Sequence, residues 1–370
     1  MEPETAPDDV AGIVLDQAGR LFSAHITPAL LAACDGASGP AAWPAPLWEA
    51  IDESGLPLAL VPEARGGIGL DATVAARLIR ACGRAALPLP LPETIAGAAL
   101  WAAAGGEAGA GALSLVPAAA GVRIAPSGDG FSLDGRAAGV PWGGGVSALL
   151  VEASGADGRC LVRLEAPGPA TDTRHNLAGE PRDALDLAGR AVPADAVRPL
   201  PGWLAGAEGG AIETVGAWIR AEAMVGAMER ALASSLDHAT ERQQFGRPLA
   251  KFQAIQHMLA DAAGHLAAAT AAADLAAAAW GGTRFPLAVA VAKSRCGEAA
   301  GRVAEICHQV HGAMGFTQEH GLHRATRRLW SWRDEFGPDV LWQERIGRAV
   351  CAGGGAALWP MLVRLRAGAG

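Results

Sequence analysis

Apolar positions recur every three or four residues along much of this chain. Between two such stretches lies Glu241–Asp261, ERQQFGRPLAKFQAIQHMLAD. Upstream, Met224, Met228, Leu232 and Ser235 keep helical spacing; downstream, Phe252, Ile255, Leu259, Ala262 and Leu266 form one apolar stripe. His257, Asp261 and His265 fall together on another face. Between the two patterns stand Arg242, Phe245, Gly246, Arg247 and Pro248, so two arginines occupy the corner of a predicted helical hairpin. A guanidinium fork at such a corner suits a phosphate or a carboxylate.

The same periodicity predicts helices over 12–31, 47–54, 72–85 and 94–104, after a loose tail over residues 1–10. The segment LALVPEARGGIGLD (58–71) interrupts them. With no strand–loop–helix unit around its glycines, it reads as a tight turn rather than a phosphate cradle. Beyond GGEAGAG (105–111) the pattern changes to short Val/Leu runs split by Gly, Pro, Asp and Ser, which predicts a small antiparallel β domain, a barrel or sandwich. From about Trp203 helices return, over 213–240, 251–280, 286–314, 319–335 and 340–364, with CAGGGAAL inside the last as a kink or a close-packing point. The expected fold is mainly α with a central small β domain: an N-terminal helical domain over 1–105, a middle β domain over 106–202 and a C-terminal helix bundle over 203–370.

A formal charge of −8 argues against nucleic acid or an anionic membrane as partner. No apolar run long enough for a membrane span is visible, six cysteines are scattered without a Cys-x-x-Cys pair, and the acidic start lacks a signal-peptide pattern. These features predict a cytoplasmic protein with reduced thiols.

Two segments in order, ERQQFGRPLAKFQAIQHMLAD (241–261) and CHQVHGAMGFTQEHGLH (307–323), together with LALVPEARGGIGLD and GRAALPLPLPE, resemble the acyl-CoA dehydrogenase family, in particular its shorter bacterial members. The resemblance implies FAD bound at a subunit interface of a homo- or hetero-oligomer. It also implies α,β-dehydrogenation of an acyl-CoA thioester, with the α-proton taken by a carboxylate, the β-hydride passed to flavin N5, and electrons handed to an electron-transferring-flavoprotein-like partner. Carried onto this chain, Arg242 would meet the FAD pyrophosphate of a neighbouring subunit and Phe245 would pack beside the cofactor. Gln309, Gly312 and Gly315 would approach the dinucleotide from another subunit, and Arg220 lies near the family's arginine close to substrate.

Two segments depart from the pattern. Where the family offers a T-E-P-like flavin contact this chain reads SLVPAAAGVRIAP (114–126), so those contacts are not assigned. Where the family keeps its catalytic glutamate in a Y-E-G-T-like element, this chain has WRDEFGPD (332–339), which puts Phe336 at the carboxylate position and Glu335 one step before it. Candidates for the base are Glu335, Glu222 and Asp339, beside the reading that the chain holds none and is a non-catalytic partner subunit. A third reading is another flavin reaction, oxidase or monooxygenase, on the same fold. His308-x-x-His311 and His320-x-x-His323 are read as packing and hydrogen-bonding histidines near the cofactor, and no metal site is expected.

Overall fold

The computed structural model describes residues 7–34, 43–117 and 121–366. These gather into two compact units, one of residues up to 78 with 87–219, the other of 79–86 with 220 onward.

In the first unit the helices are α1 (Pro7–His25), α2 (Pro28–Cys34), α3 (Ala45–Glu53), most of α4 (Ala72–Ala85) and α5 (Leu91–Ala103). The expected loose tail lies partly outside the described residues, and from Pro7 the chain is already helical. Helix α5 is buried from Leu91 to Ala102, mostly through apolar side chains but with Glu93 and Thr94 enclosed as well, as in a helix surrounded by other elements. In the 58–71 loop, Gly66 and Gly69 have φ of 82° and 73°, and a Cβ on Gly67 would collide with the Val61 carbonyl. Its amides are committed within the chain, Gly69 to Val61 O at 2.9 Å and Leu70 to Ala59 O at 2.8 Å. They are not turned toward a ligand.

Ten strands follow: β1 (Leu113–Leu115), β2 (Arg123–Ser127), β3 (Gly130–Asp134), β4 (Arg136–Pro141), β5 (Ala148–Gly155), β6 (Gly158–Glu165), β7 (Asp172–His175), β8 (Pro181–Asp186), β9 (Arg190–Val192) and β10 (Val197–Pro199). One sheet runs β10-β6-β5-β2-β3-β9 with β1 also on β5, and a second runs β4-β8-β7. The expectation of an antiparallel domain is corrected at β5, which pairs in parallel with both β1 and β2. Leu149, Leu150 and Val151 of β5 are fully buried, and a strand covered on both faces loses the alternation that marks an antiparallel edge.

The second unit is a helix bundle of the C-terminal end of α4 with α6 (Ala211–Glu241, from Arg220 on), α7 (Gln253–Ala278), α8 (Phe285–His311), α9 (Leu322–Asp334), α10 (Asp339–Gly353) and α11 (Gly355–Arg366). Helix α8 lies at its centre, packed on α7, α9 and α10. Ala262, Ala269, Ala273 and Ala276 of α7 are fully buried, small residues that let helix axes approach closely. Gly83 and Gly226 serve the same end, since a Cβ on either would strike backbone carbonyls of Ala223 and Arg80. The single helix expected over 340–364 is two, because Gly354 takes φ 70° and ψ 164° and ends α10 there. No helix among the described residues is long and apolar enough to cross a membrane.

Candidate active site

The corner between α6 and α7 is a two-residue hairpin. Strands β11 (Gln243–Gln244) and β12 (Arg247–Pro248) pair across Phe245 and Gly246. Both turn residues have positive φ, 52° and 78°, the combination of a type I′ turn whose twist matches the strands it joins. The tip therefore points its side chains away from the bundle, and Phe245 is 92% exposed. Arg242 is exposed at the base of the hairpin, anchored through its backbone to His238 O and Leu249 N, each at 2.9 Å. Arg247 is occupied otherwise, its guanidinium 4.2 Å from the Phe252 ring centre.

At the far end of α8, Gln309 is exposed and Gly312 ends the helix with φ 60° and ψ −144°, backbone open only to glycine. A Cβ on Gly312 would meet nothing within 4 Å, so this backbone faces open space. Gly315 is different: it is buried, and a Cβ there would press on His311 Cβ and Leu322 Cδ2 at 3.0 Å. Stacking of His238 on His311, with ring centres 4.4 Å apart, brings the ends of α6 and α8 together. The Arg242 and Gln309 motifs therefore share one end of the bundle.

The turn that would carry the base lies elsewhere. Glu335 caps the end of α9, and its Oε2 accepts from Arg220 Nε at 2.7 Å; Arg220 is 2% exposed, and its guanidinium lies 5.5 Å from the Phe336 ring centre. Phe336 has φ 53° and is buried. Two side chains pin this turn from beneath. Lys293 Nζ donates to Arg333 O at 2.6 Å and Gly337 O at 2.7 Å, and Trp342 Nε1 donates to Phe336 O at 3.1 Å. Lys293 is fully buried, and burial pushes its ammonium down to about 7, opposed by the nearby Glu335, Asp334 and Asp339 carboxylates.

The other candidate carboxylates are engaged within the bundle. Glu222 is fully buried, its Oε2 2.6 Å from Arg80 Nε, and Arg80 also holds Asp274 at 2.5 Å. Asp339 is paired with Arg333 at 2.7 Å at the start of α10. Composition and spacing pointed to neither Lys293 nor the Arg80–Glu222 pair. The signal for Lys293 was a lone cation in the apolar run FPLAVAVAK; for Arg80 there was none, since its partner lies far along the chain.

The two levels are distinct. His238 and His311 lie about five turns beyond Arg220 and Lys293 on α6 and α8, roughly 27 Å along each axis. The exposed arginine, aromatic and glycine group thus stands at one end of the bundle, and the carboxylate turn well along its length.

Residues 214–351 match the family model described as acyl-CoA dehydrogenase, C-terminal domain. Over 285 residues the chain is 30% identical to acyl-CoA dehydrogenase IpdE2 of Mycobacterium tuberculosis, covering 76% of this chain and 79% of that protein. A stretch of 105 residues is 43% identical to the 3-sulfinopropanoyl-CoA desulfinase of Paraburkholderia xenovorans, 28% of this chain and 26% of that one. The fold matches the ChsE4-ChsE5 complex from Mycobacterium tuberculosis with a TM-score of 0.79 at 23% identity, over 94% of this chain and 98% of the chain matched. Fold and sequence together define a flavin oxidoreductase. The chain belongs to the acyl-CoA dehydrogenase family.

Proposed function

We propose that this protein carries out FAD-dependent α,β-dehydrogenation of an acyl-CoA thioester, at a site that a second copy or a partner chain completes. The observation that carries this reading is the separation of the two levels. A hairpin tip and glycine end built for outward contact stand roughly 27 Å along the helices from the carboxylate turn. One chain then lends Arg242, Phe245, Gln309 and Gly312 to a dinucleotide, with Gly315 packed beneath them, and the turn at Glu335 serves the acyl group at another. The residues fit the cofactor: an exposed guanidinium for a pyrophosphate, an exposed ring beside it, and an open glycine backbone. Accepting a hydride from the β-carbon is the chemistry FAD supplies when bound.

In this reading Glu335 removes the α-proton, and Arg220 orients its carboxylate until substrate arrives. Such a proton is too weakly acidic for a carboxylate in water, so the base must be shielded. The Glu335 side chain is half-buried, and the Arg220 guanidinium that holds it lies against Phe336 and Trp332. Electrons would leave to an electron-transferring-flavoprotein-like acceptor.

A second reading, a partner subunit without its own base, is favoured by the same turn. Phe336 occupies the position of the family's carboxylate, and Glu335 is already salt-bridged to Arg220. The ChsE4-ChsE5 structure is described as a complex of two proteins, a precedent for mixed assembly within the fold. The deciding experiment is an absorption spectrum of the purified chain before and after anaerobic addition of a panel of acyl-CoAs. A flavin band bleached by one thioester supports the dehydrogenase. A colourless chain, or a flavin that no thioester bleaches until another subunit is added, supports the partner reading and overturns self-sufficient catalysis.

A further inference from the structure

Sequence spacing pairs His308 with His311 and His320 with His323. The fold gathers a different set. His238 near the end of α6, His311 at the end of α8 and His320 just before α9 each offer a ligand nitrogen, and these lie within 4.8 Å of one another. The His320 ring meets His311 edge-on at 4.5 Å, His238 stacks on His311 at 4.4 Å, and the His238 and His320 rings stand perpendicular with centres 6.3 Å apart.

The state of His311 marks this as more than a chance contact. The residue is 4% exposed, and its Nδ1 lies 2.8 Å from the Cys307 carbonyl oxygen. A carbonyl only accepts, so Nδ1 carries the proton and Nε2 holds a lone pair. That Nε2 is buried and has no hydrogen-bond partner. A buried ring nitrogen left unsatisfied is costly. An imidazole that donates one nitrogen to a backbone carbonyl and keeps the other bare is oriented as metal-ligating histidines are. Burial is the largest cause lowering the pKa of His238, His311 and His320, to about 4 for His311, where the Cys307 carbonyl works the other way.

We infer that His238, His311 and His320 form a three-histidine site for a divalent transition-metal ion of zinc type, with a fourth position open to water. Imidazole nitrogens suit zinc, and bonds of 2.0–2.1 Å require nitrogens about 3.3 Å apart in a tetrahedral set. The nitrogens must close from within 4.8 Å to that spacing; His238 and His320 are only half-buried, and His320 Nδ1 accepts from Leu322 N at 3.3 Å, a bond that an ion at this nitrogen would replace. The charged surroundings are mixed. Arg242 and Glu241 face His238, and His323 and Arg230 face His320, so the ligand bonds must outweigh repulsion from two guanidinium groups. A bound ion would tie together the ends of α6 and α8, which carry Arg242, Gln309 and Gly312. That consequence rests on the flavin reading, whereas ion binding does not.

The test uses the full chain without a histidine tag, stripped with chelator. It is titrated with Zn2+ by calorimetry and with Co2+ followed by visible absorption. One ion per chain is expected, with the cobalt spectrum of a low-coordinate nitrogen site. His238→Gln and His320→Gln, at half-exposed positions, should each weaken binding at least about tenfold while circular dichroism stays unchanged, because even outer-shell partners of a metal are worth that much. His323→Gln should leave binding as it was. A folded wild-type chain that takes up no stoichiometric ion overturns the site, as does binding equally strong in both variants or equally weakened by His323→Gln. None of these readouts requires flavin or turnover.

Discussion

Arg220 Nε lies 2.7 Å from Glu335 Oε2, and this contact joins the first half of α6 to the turn that follows α9, 115 residues on. The arginine is almost fully buried against Phe336 and Trp332, so the carboxylate it holds is aimed rather than merely exposed. In the dehydrogenation proposed above, this pair is what separates a chain with its own base from a partner subunit without one.

Glu335→Gln keeps the volume and the hydrogen bond to Arg220 but cannot take a proton. If Glu335 is the base, flavin reduction by acyl-CoA in stopped flow should slow by about 100-fold or more, at unchanged flavin content. Wild-type reduction rates in this variant would remove Glu335 from the mechanism. Phe336→Glu places a second carboxylate where the family pattern expects one. It should raise the reduction rate of a chain that is slow on its own.

Arg242→Ala should reduce FAD retention without altering the fold. The residue is exposed, and its anchoring hydrogen bonds are made by the backbone. A charge-assisted contact is worth roughly 1.5–3 kcal/mol, or about 10- to 150-fold in affinity. Flavin per chain after gel filtration, with circular dichroism as the control, measures it. Unchanged retention would count against the corner as a cofactor contact.

Glu222→Gln separates a structural carboxylate from a catalytic one. It leaves Arg80 with Asp274 as its acidic partner and removes the fully buried carboxylate from a largely buried charge pair. Breaking such a pair costs about 3–5 kcal/mol, and the surviving contact to Asp274 puts the expectation at the low end. The urea midpoint should fall accordingly. A variant as stable as the wild type but unable to reduce flavin would instead assign Glu222 to the chemistry.

Lys293 makes stability depend on pH in alkaline solution. Its folded pKa is about 7 against an ordinary 10.5. Between these values the unfolded chain binds the extra proton and the folded chain does not. Stability relative to Lys293→Met should therefore rise from pH 7 toward pH 10 and be flat below about pH 7. Urea midpoints of both proteins at pH 6, 7, 8 and 9 measure the trend. A difference that stays constant across that range would mean that the two carbonyls and the nearby carboxylates keep the ammonium charged.

Much of the architecture was legible because it is written in local pattern. Helix α4 falls over the predicted residues 72–85, and α6 to α9 fall close to theirs, since apolar periodicity and Gly/Pro breaks report on each segment alone. Strand β7 was not legible. Its four residues, Asp-Thr-Arg-His, are all exposed and carry no apolar alternation, so only pairing with β8 makes them a strand. The split of the last helix turned on one glycine, Gly354, in a run of glycines any of which could have been the break.

The same boundary divides the functional residues. The order of Arg242, Phe245, Gln309 and Gly312 along the chain identified the family and the cofactor class, because short motifs at turns and helix ends need only their neighbours to take shape. What Glu335, Glu222, Lys293 and His311 do was decided by the tertiary structure. A carboxylate, an amine or an imidazole takes its role from the charge and burial around it. Those come from Arg220, Arg80, the carbonyls of Arg333 and Gly337, and His238 and His320, residues that the packing of the bundle brings close and the sequence keeps apart.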